Sequence, residues 1–185
     1  QDLQALKKLT PRRHPVNCYQ DVELLAYCLM PNHFHLLLKN LTERGIEKFM
    51  RAFAVNYSMY FNLKYKRVGP LYQGVYKAVA IESDEQYVYI SKYIHLNPRE
   101  LLTRVRPLHE YSYSSYQNYL GKRQQDWVHP NEILSFFSKK FPSLSYQTFV
   151  EEKETPFEEI SSLLLDDNDH FLREEDIRDT RVRTL

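Results

Sequence analysis

The chain has no long apolar run: nowhere in its 185 residues do apolar side chains approach the roughly 20 in succession that a membrane span requires. Cysteine is scarce. Cys18 and Cys28 are the only two and lack metal-type spacing, which argues against a disulfide framework and for a reducing cytoplasm. No secretory leader is visible, although the chain opens on Gln1 rather than methionine, consistent with a trimmed start. Internal repeats and low-complexity tracts are missing too. Nor does charge of one sign dominate, since 25 Lys/Arg stand against 24 Asp/Glu.

That balance conceals an asymmetry. From Lys39 to Arg123 there are 14 basic against 7 acidic residues, and from Asp126 to Leu185 the proportion is 7 against 14. A basic body with an acidic tail fits nucleic-acid binding, with the tail as a possible competitor for the same surface; the plainer alternative is solvated charged faces. The length suits one domain with a sizeable core plus an appendage. The expected division is a main domain over 1–125 and a helical, acidic extension over 126–185.

Leu3, Leu6 and Leu9 predict the end of a helix before Pro11. A strand is expected near 23–29, a turn at Pro31-Asn32, and a hairpin partner over 33–39. Thr42 is the expected cap of a long helix over 43–65, whose stripe Ile46, Phe49, Met50, Phe53, Ala54, Tyr57 and Phe61 reads as core. Gly69-Pro70 and Gly74 break the chain before a third strand over 78–82. Ser83 and Gln86 form a capping box for a helix over 84–96, which Pro98 ends. Hairpin and helices interleave as an α+β sandwich.

Met30-Pro31-Asn32-His33-Phe34-His35-Leu36-Leu37-Leu38 is the most informative stretch. On a strand His33 and His35 point one way and Phe34 the other, and two imidazoles on one face are half of a metal site. A half-buried strand carrying two histidines by chance is the alternative, favoured for such a pair alone. Tyr93 and Asn97 lie four apart, on one helical face. Tyrosine can serve as a covalent nucleophile and an amide oxygen as a hard ligand for Mg²⁺ or Mn²⁺. By spacing alone, the favoured account is that Tyr93 packs on the sheet and Asn97 caps the helix end before Pro98.

Three segments together carry a resemblance. Ala26–Leu38, then Gly69-Pro-Leu-Tyr-Gln-Gly-Val-Tyr-Lys77, then Tyr93-Ile-His-Leu-Asn-Pro98 resemble the REP-associated tyrosine transposases, in the single-tyrosine branch of the HUH nuclease superfamily. Tyr113–Tyr116 through Gly121, with Trp127-Val128, matches a further family segment. The resemblance covers residues 20–130. It implies a ferredoxin-like antiparallel sheet with helices packed on one face, here followed by a helical C-terminal extension. It also implies a metal-dependent single-stranded DNA endonuclease and strand-transferase acting at or near hairpins. On this sequence the divalent cation, Mg²⁺ or Mn²⁺, would be held by His33, His35 and Asn97. Tyr93 would attack the scissile phosphate to give a 5′-phosphotyrosine link and a free 3′-hydroxyl. Two departures stand out: no His-Val-x-x-Arg-Gly strand precedes residue 23, and Val75 replaces a common arginine. The first implies a truncated chain or a sheet short of a strand; the second, weaker DNA affinity.

Lys64, Lys66, Arg67, Tyr72, Gln73, Tyr76 and Lys77 interleave cations with aromatics, as single-stranded DNA binding requires, and Arg99, with Arg104 and Arg106, follows the tyrosine helix. The alternative is ordinary surface charge. Tyr89 is the main rival nucleophile, and His95, about 200° around the helix from Tyr93, is expected to face away. Two other functions stay open: a catalytically silent, domesticated hairpin-DNA-binding protein, and a Zn²⁺ hydrolase using His33 and His35. A homodimer is a possible assembly, and no membrane partner is expected.

Overall fold

The computed structural model describes residues 16–102 and 107–152 and the strand Arg181–Thr184. The helix expected before Pro11, together with Arg104 and Arg106, lies outside those residues. No described helix is long and apolar enough to cross a membrane.

Strands β1 (Val22–Leu29) and β2 (Phe34–Asn40) form the expected hairpin, with Leu29 opposite Phe34 and Cys28 opposite His35. Met30 N–H donates to the carbonyl of His33 at 2.9 Å and closes the turn over Pro31-Asn32. Strand β3 (Ala78–Ile81) and strand β4 (Arg181–Thr184) complete an antiparallel sheet in the order β1-β2-β4-β3. The α+β architecture with an antiparallel sheet is the one expected. The source of β4 is not, because Arg181-Val-Arg-Thr184 comes from the segment read as a helical extension and pairs with both β2 and β3. Four residues are too few for a period-two pattern to register, and their partners lie about a hundred residues or more away in the chain.

Helix α1 (Gly45–Tyr65) and helix α2 (Asp84–Leu96) take opposite faces of this sheet, not one shared face. Leu36 and Leu38 pack with Ile46 and Met50 of α1, while Leu37 packs with Ile90 and Ile94 of α2. Strand alternation alone dictates this, since Leu36, Leu37 and Leu38 are all buried and cannot share a side. Val128 joins the α1 core, and Ile133, Tyr146 and Val150 join the α2 core.

Thr42 does not cap α1. Its hydroxyl turns to Asp21, and Asn40 Oδ1 instead accepts the Ile46 N–H at 2.8 Å. An oxygen at the end of β2 thus satisfies an orphan donor of the helix start. The expected core stripe also holds only at the near end: Ile46 and Met50 are buried, whereas Tyr57 is 43% exposed and Tyr65 55%. A 21-residue helix is about 32 Å long and β2 with its seven residues about 23 Å, so the outer turns overrun the sheet.

At α2, Ser83 Oγ accepts the Gln86 N–H at 3.1 Å, and the Gln86 side chain reaches back to the Glu82 N–H at 2.8 Å. Pro98 does not end the turn outright: a 3₁₀ segment, Asn97–Glu100, continues the helix, because a proline near the start of a turn forfeits no needed donor. Residues 111–115 cover the outer edge of β1. Leu29 N–H donates to Tyr113, Ser115 N–H to Tyr27, and the Tyr111 hydroxyl to the Leu29 carbonyl. An otherwise bare edge strand is thereby protected.

Candidate active site

His33 and His35 lie at the start of β2, on the side facing α2. Their ring centroids are 4.8 Å apart with planes at 88°. His35 is buried, 3% exposed, beneath α2; His33 is exposed at the turn, where Nδ1 donates to Asn32 Oδ1 at 2.7 Å. With Nδ1 engaged there, Nε2 is the ring nitrogen left to face a ligand.

Tyr93 of α2 stands edge-on to His35, with centroids 5.5 Å apart and planes at 86°. One turn further on, Asn97 Nδ2 donates to the Tyr93 carbonyl at 2.8 Å. This spends the amide nitrogen on the helix and leaves Oδ1 as the oxygen that can act as a ligand. The histidine pair and Tyr93 are therefore brought together, with Asn97 one turn beyond Tyr93 at the end of α2. The rival Tyr89 shares the helix but not the neighbourhood, since its ring packs on Phe149 at 5.4 Å. Lys92 also turns that way, its Nζ 4.7 Å from the Phe149 ring centre, and burial lowers its pKa.

The donor set fits a divalent cation in kind: two imidazole nitrogens and an amide oxygen suit Mn²⁺ and its neighbours, with Mg²⁺ less dependent on nitrogen. Among the described residues no group of three His, Cys, Asp or Glu is placed to hold a metal.

His95 faces away from this centre. It is fully buried, its Nε2 2.8 Å from Ser115 Oγ and its Nδ1 2.7 Å from the Tyr146 hydroxyl. Tyr146 donates onward to Ser91 at 3.0 Å, and Ser91 to the Val88 carbonyl at 2.6 Å. With the Tyr146 proton so directed, His95 Nδ1 donates to Tyr146, while Ser115 Oγ also reaches the Tyr27 carbonyl at 3.2 Å. Burial pulls the His95 pKa down to about 3. The chain of bonds ties α2 to the β1 edge segment and to the helix Tyr146–Glu151. Sequence spacing gave no sign of these partners, which lie 20 and 51 residues away.

The DNA-facing candidates divide between the two faces. Arg99 is exposed two residues after Asn97, on the tyrosine helix side. Lys64, Lys66 and Arg67 sit at the far end of α1, with Lys66 in the left-handed conformation that stops the helix. Tyr72 reaches back to Phe34 with centroids 6.2 Å apart, and burial raises its phenol to about 12, so it stays protonated. Tyr76 packs against the α1 core, while Gln73 and Lys77 are exposed. Phe34, between the two histidines in sequence, thus points at the α1 face and contacts Phe53 at 5.2 Å.

Residues 6–97 match the family model described as "Transposase IS200 like". No curated protein and no solved structure matches the chain.

Proposed function

The chain belongs to the IS200-like transposases, and from that membership we propose that it is a metal-dependent endonuclease and strand-transferase for single-stranded DNA, acting at or near hairpins. The observation that carries the reading is the contact of Tyr93 with His35, itself in contact with His33. Tyr93 Oη attacks the scissile phosphorus: the Oη–P bond forms, the P–O3′ bond breaks, and the phenol proton is lost as the 3′-oxygen leaves as a hydroxyl. The product is a 5′-phosphotyrosine whose ester energy is kept for rejoining a strand. His33, His35 and Asn97 Oδ1 hold Mg²⁺ or Mn²⁺, which when bound supplies positive charge against the phosphate oxygens. Asn97 also braces the end of the tyrosine helix through its bond to the Tyr93 carbonyl. Arg99 and the Lys64–Lys77 segment bind the strand, with Lys64, Lys66, Arg67 and Lys77 against phosphates and Tyr72 and Gln73 beside the bases, Tyr76 supporting them from the α1 core. A possible homodimer and a cytoplasmic setting belong to the same proposal.

The test is incubation of labelled single-stranded hairpin DNA with Mg²⁺ or Mn²⁺, followed by denaturing electrophoresis. A protease-sensitive DNA–protein band that needs metal, disappears in Tyr93→Phe and persists in Tyr89→Phe is the expected result. A band lost in Tyr89→Phe instead would move the nucleophile. Native-gel binding with no covalent band under either metal would favour the catalytically silent hairpin-binding protein.

A further inference from the structure

The outer half of α1 carries a ladder of rings that the candidate active site does not use. Phe53 and Tyr57 stack with planes within 5°, Tyr57 is followed by Phe61 at 6.1 Å, and Phe61 by Tyr65 at 4.5 Å. Cations sit on this ladder: Lys64 Nζ lies 5.6 Å from the Tyr65 ring centre and Arg67 Cζ 5.6 Å from that of Phe61. At its inner end Phe53 touches Phe34, whose two chain neighbours are His33 and His35.

Charge decides what covers this face. Between Glu47 and Glu82 the sequence holds no Asp or Glu, while Lys48, Arg51, Lys64, Lys66, Arg67 and Lys77 fall in that interval. Two carboxylates near the helix start are already engaged, Asp21 by Lys48 and Glu47 by Arg44 and Arg51. A second copy docked through this face would set one carboxylate-free basic surface against another, whereas a polyanion with flat apolar bases matches both the cations and the rings.

We infer that the outer half of α1 is a stacking track for unpaired nucleotides, on the sheet face opposite Tyr93, so that a bound strand passes round the β1–β2 turn to reach the tyrosine. Stacking on Tyr57 and Tyr65 holds bases, and Lys64 and Arg67 pair with the phosphates between them. This rests on the reading of the chain as a single-stranded DNA enzyme and extends it to a surface remote from the chemistry.

The experiment measures binding of a fluorescent oligothymidylate to the full chain by anisotropy, for the wild type and for Tyr57→Ala/Tyr65→Ala. Both side chains are exposed, so a folded variant is expected, and circular dichroism checks it. Affinity should fall about tenfold or more in the double variant. For the wild type, log K against log salt should have a slope of roughly −3, from four cations along the strand. Iododeoxyuridine cross-links should map to Tyr57 or Tyr65. Unchanged affinity in the folded double variant, with no cross-link on α1, overturns the track. So does a wild-type dimer in sedimentation that the double variant loses while its DNA affinity stays the same, which would make the face an interface between copies. The covalent-adduct assay is read separately. Adducts with no ladder effect sink only this inference, and ladder-dependent binding with no adducts sinks only the transferase.

Discussion

Asn97 is hydrogen-bonded to the carbonyl oxygen of the residue one turn before it, Tyr93, through its side-chain nitrogen at 2.8 Å. The bond sets which atom of the amide faces outward, and it couples the orientation of the candidate ligand to the helix that carries the candidate nucleophile.

Asn97→Ala should therefore raise the Mn²⁺ concentration needed for half-maximal adduct formation about tenfold or more, while oligonucleotide binding without metal is unchanged. A metal titration of the adduct assay reads this directly. An unaltered midpoint would remove Asn97 from the ligand set.

The buried His95 makes stability depend on pH. Its folded pKa, about 3, lies below the ordinary value of 6.5, so the unfolded chain takes up the proton more readily. Its contribution is complete above the unfolded value and is lost as pH falls from there toward 3, at up to about 1.4 kcal/mol per unit. Urea unfolding between about pH 6.5 and 5, above most carboxylate titration, should show this slope in the wild type and a shallower one in His95→Gln. Equal slopes would contradict the neutral buried ring.

Gly45 is held close to the strand-leading turn, and a Cβ there would overlap the carbonyl oxygen of Asp21. Because the obstacle is backbone, Gly45→Ala should cost about 2 kcal/mol or more in thermal or denaturant unfolding. Gly74, with open space around its would-be Cβ, is the control, and Gly74→Ala should stay within about 0.5 kcal/mol. Indistinguishable variants would mean that α1 docks elsewhere.

Removing residues 181–185 should unzip the sheet between β2 and β3, since β4 bridges the two. Amide exchange should accelerate at the alternate residues of β2 and β3 whose N–H points toward β4, with a lower unfolding midpoint. Exchange as slow as in the full chain would show that β4 is dispensable to the ladder. This short deletion leaves the acidic residues before 181 in place, so it separates a stability effect from any unmasking of the basic surface.

Much of the fold was legible locally. The β1–β2 hairpin, β3, and α2 with its Ser83–Gln86 cap are encoded in alternation, turn residues and capping chemistry, all within a few residues of one another. The same local rules put His33 and His35 on one side of a strand and Tyr93 and Asn97 on one side of a helix. Residue order and motif content were enough to suggest the family. Other properties depend on which elements meet. Tyr93 and Tyr89 share one face of the helical wheel, and they separate because Tyr93 meets His35 while Tyr89 meets Phe149. An aromatic stripe reads the same whether it is covered or bare; the length of β2 under α1 leaves its outer half exposed. The His95 network and the insertion of Arg181–Thr184 between β2 and β3 join residues far apart in the chain, and no local periodicity encodes such a meeting. The sequence by itself determined the local elements and the chemical types available to the site. Only the tertiary structure decided which of those groups became neighbours, because that choice is made by long-range packing.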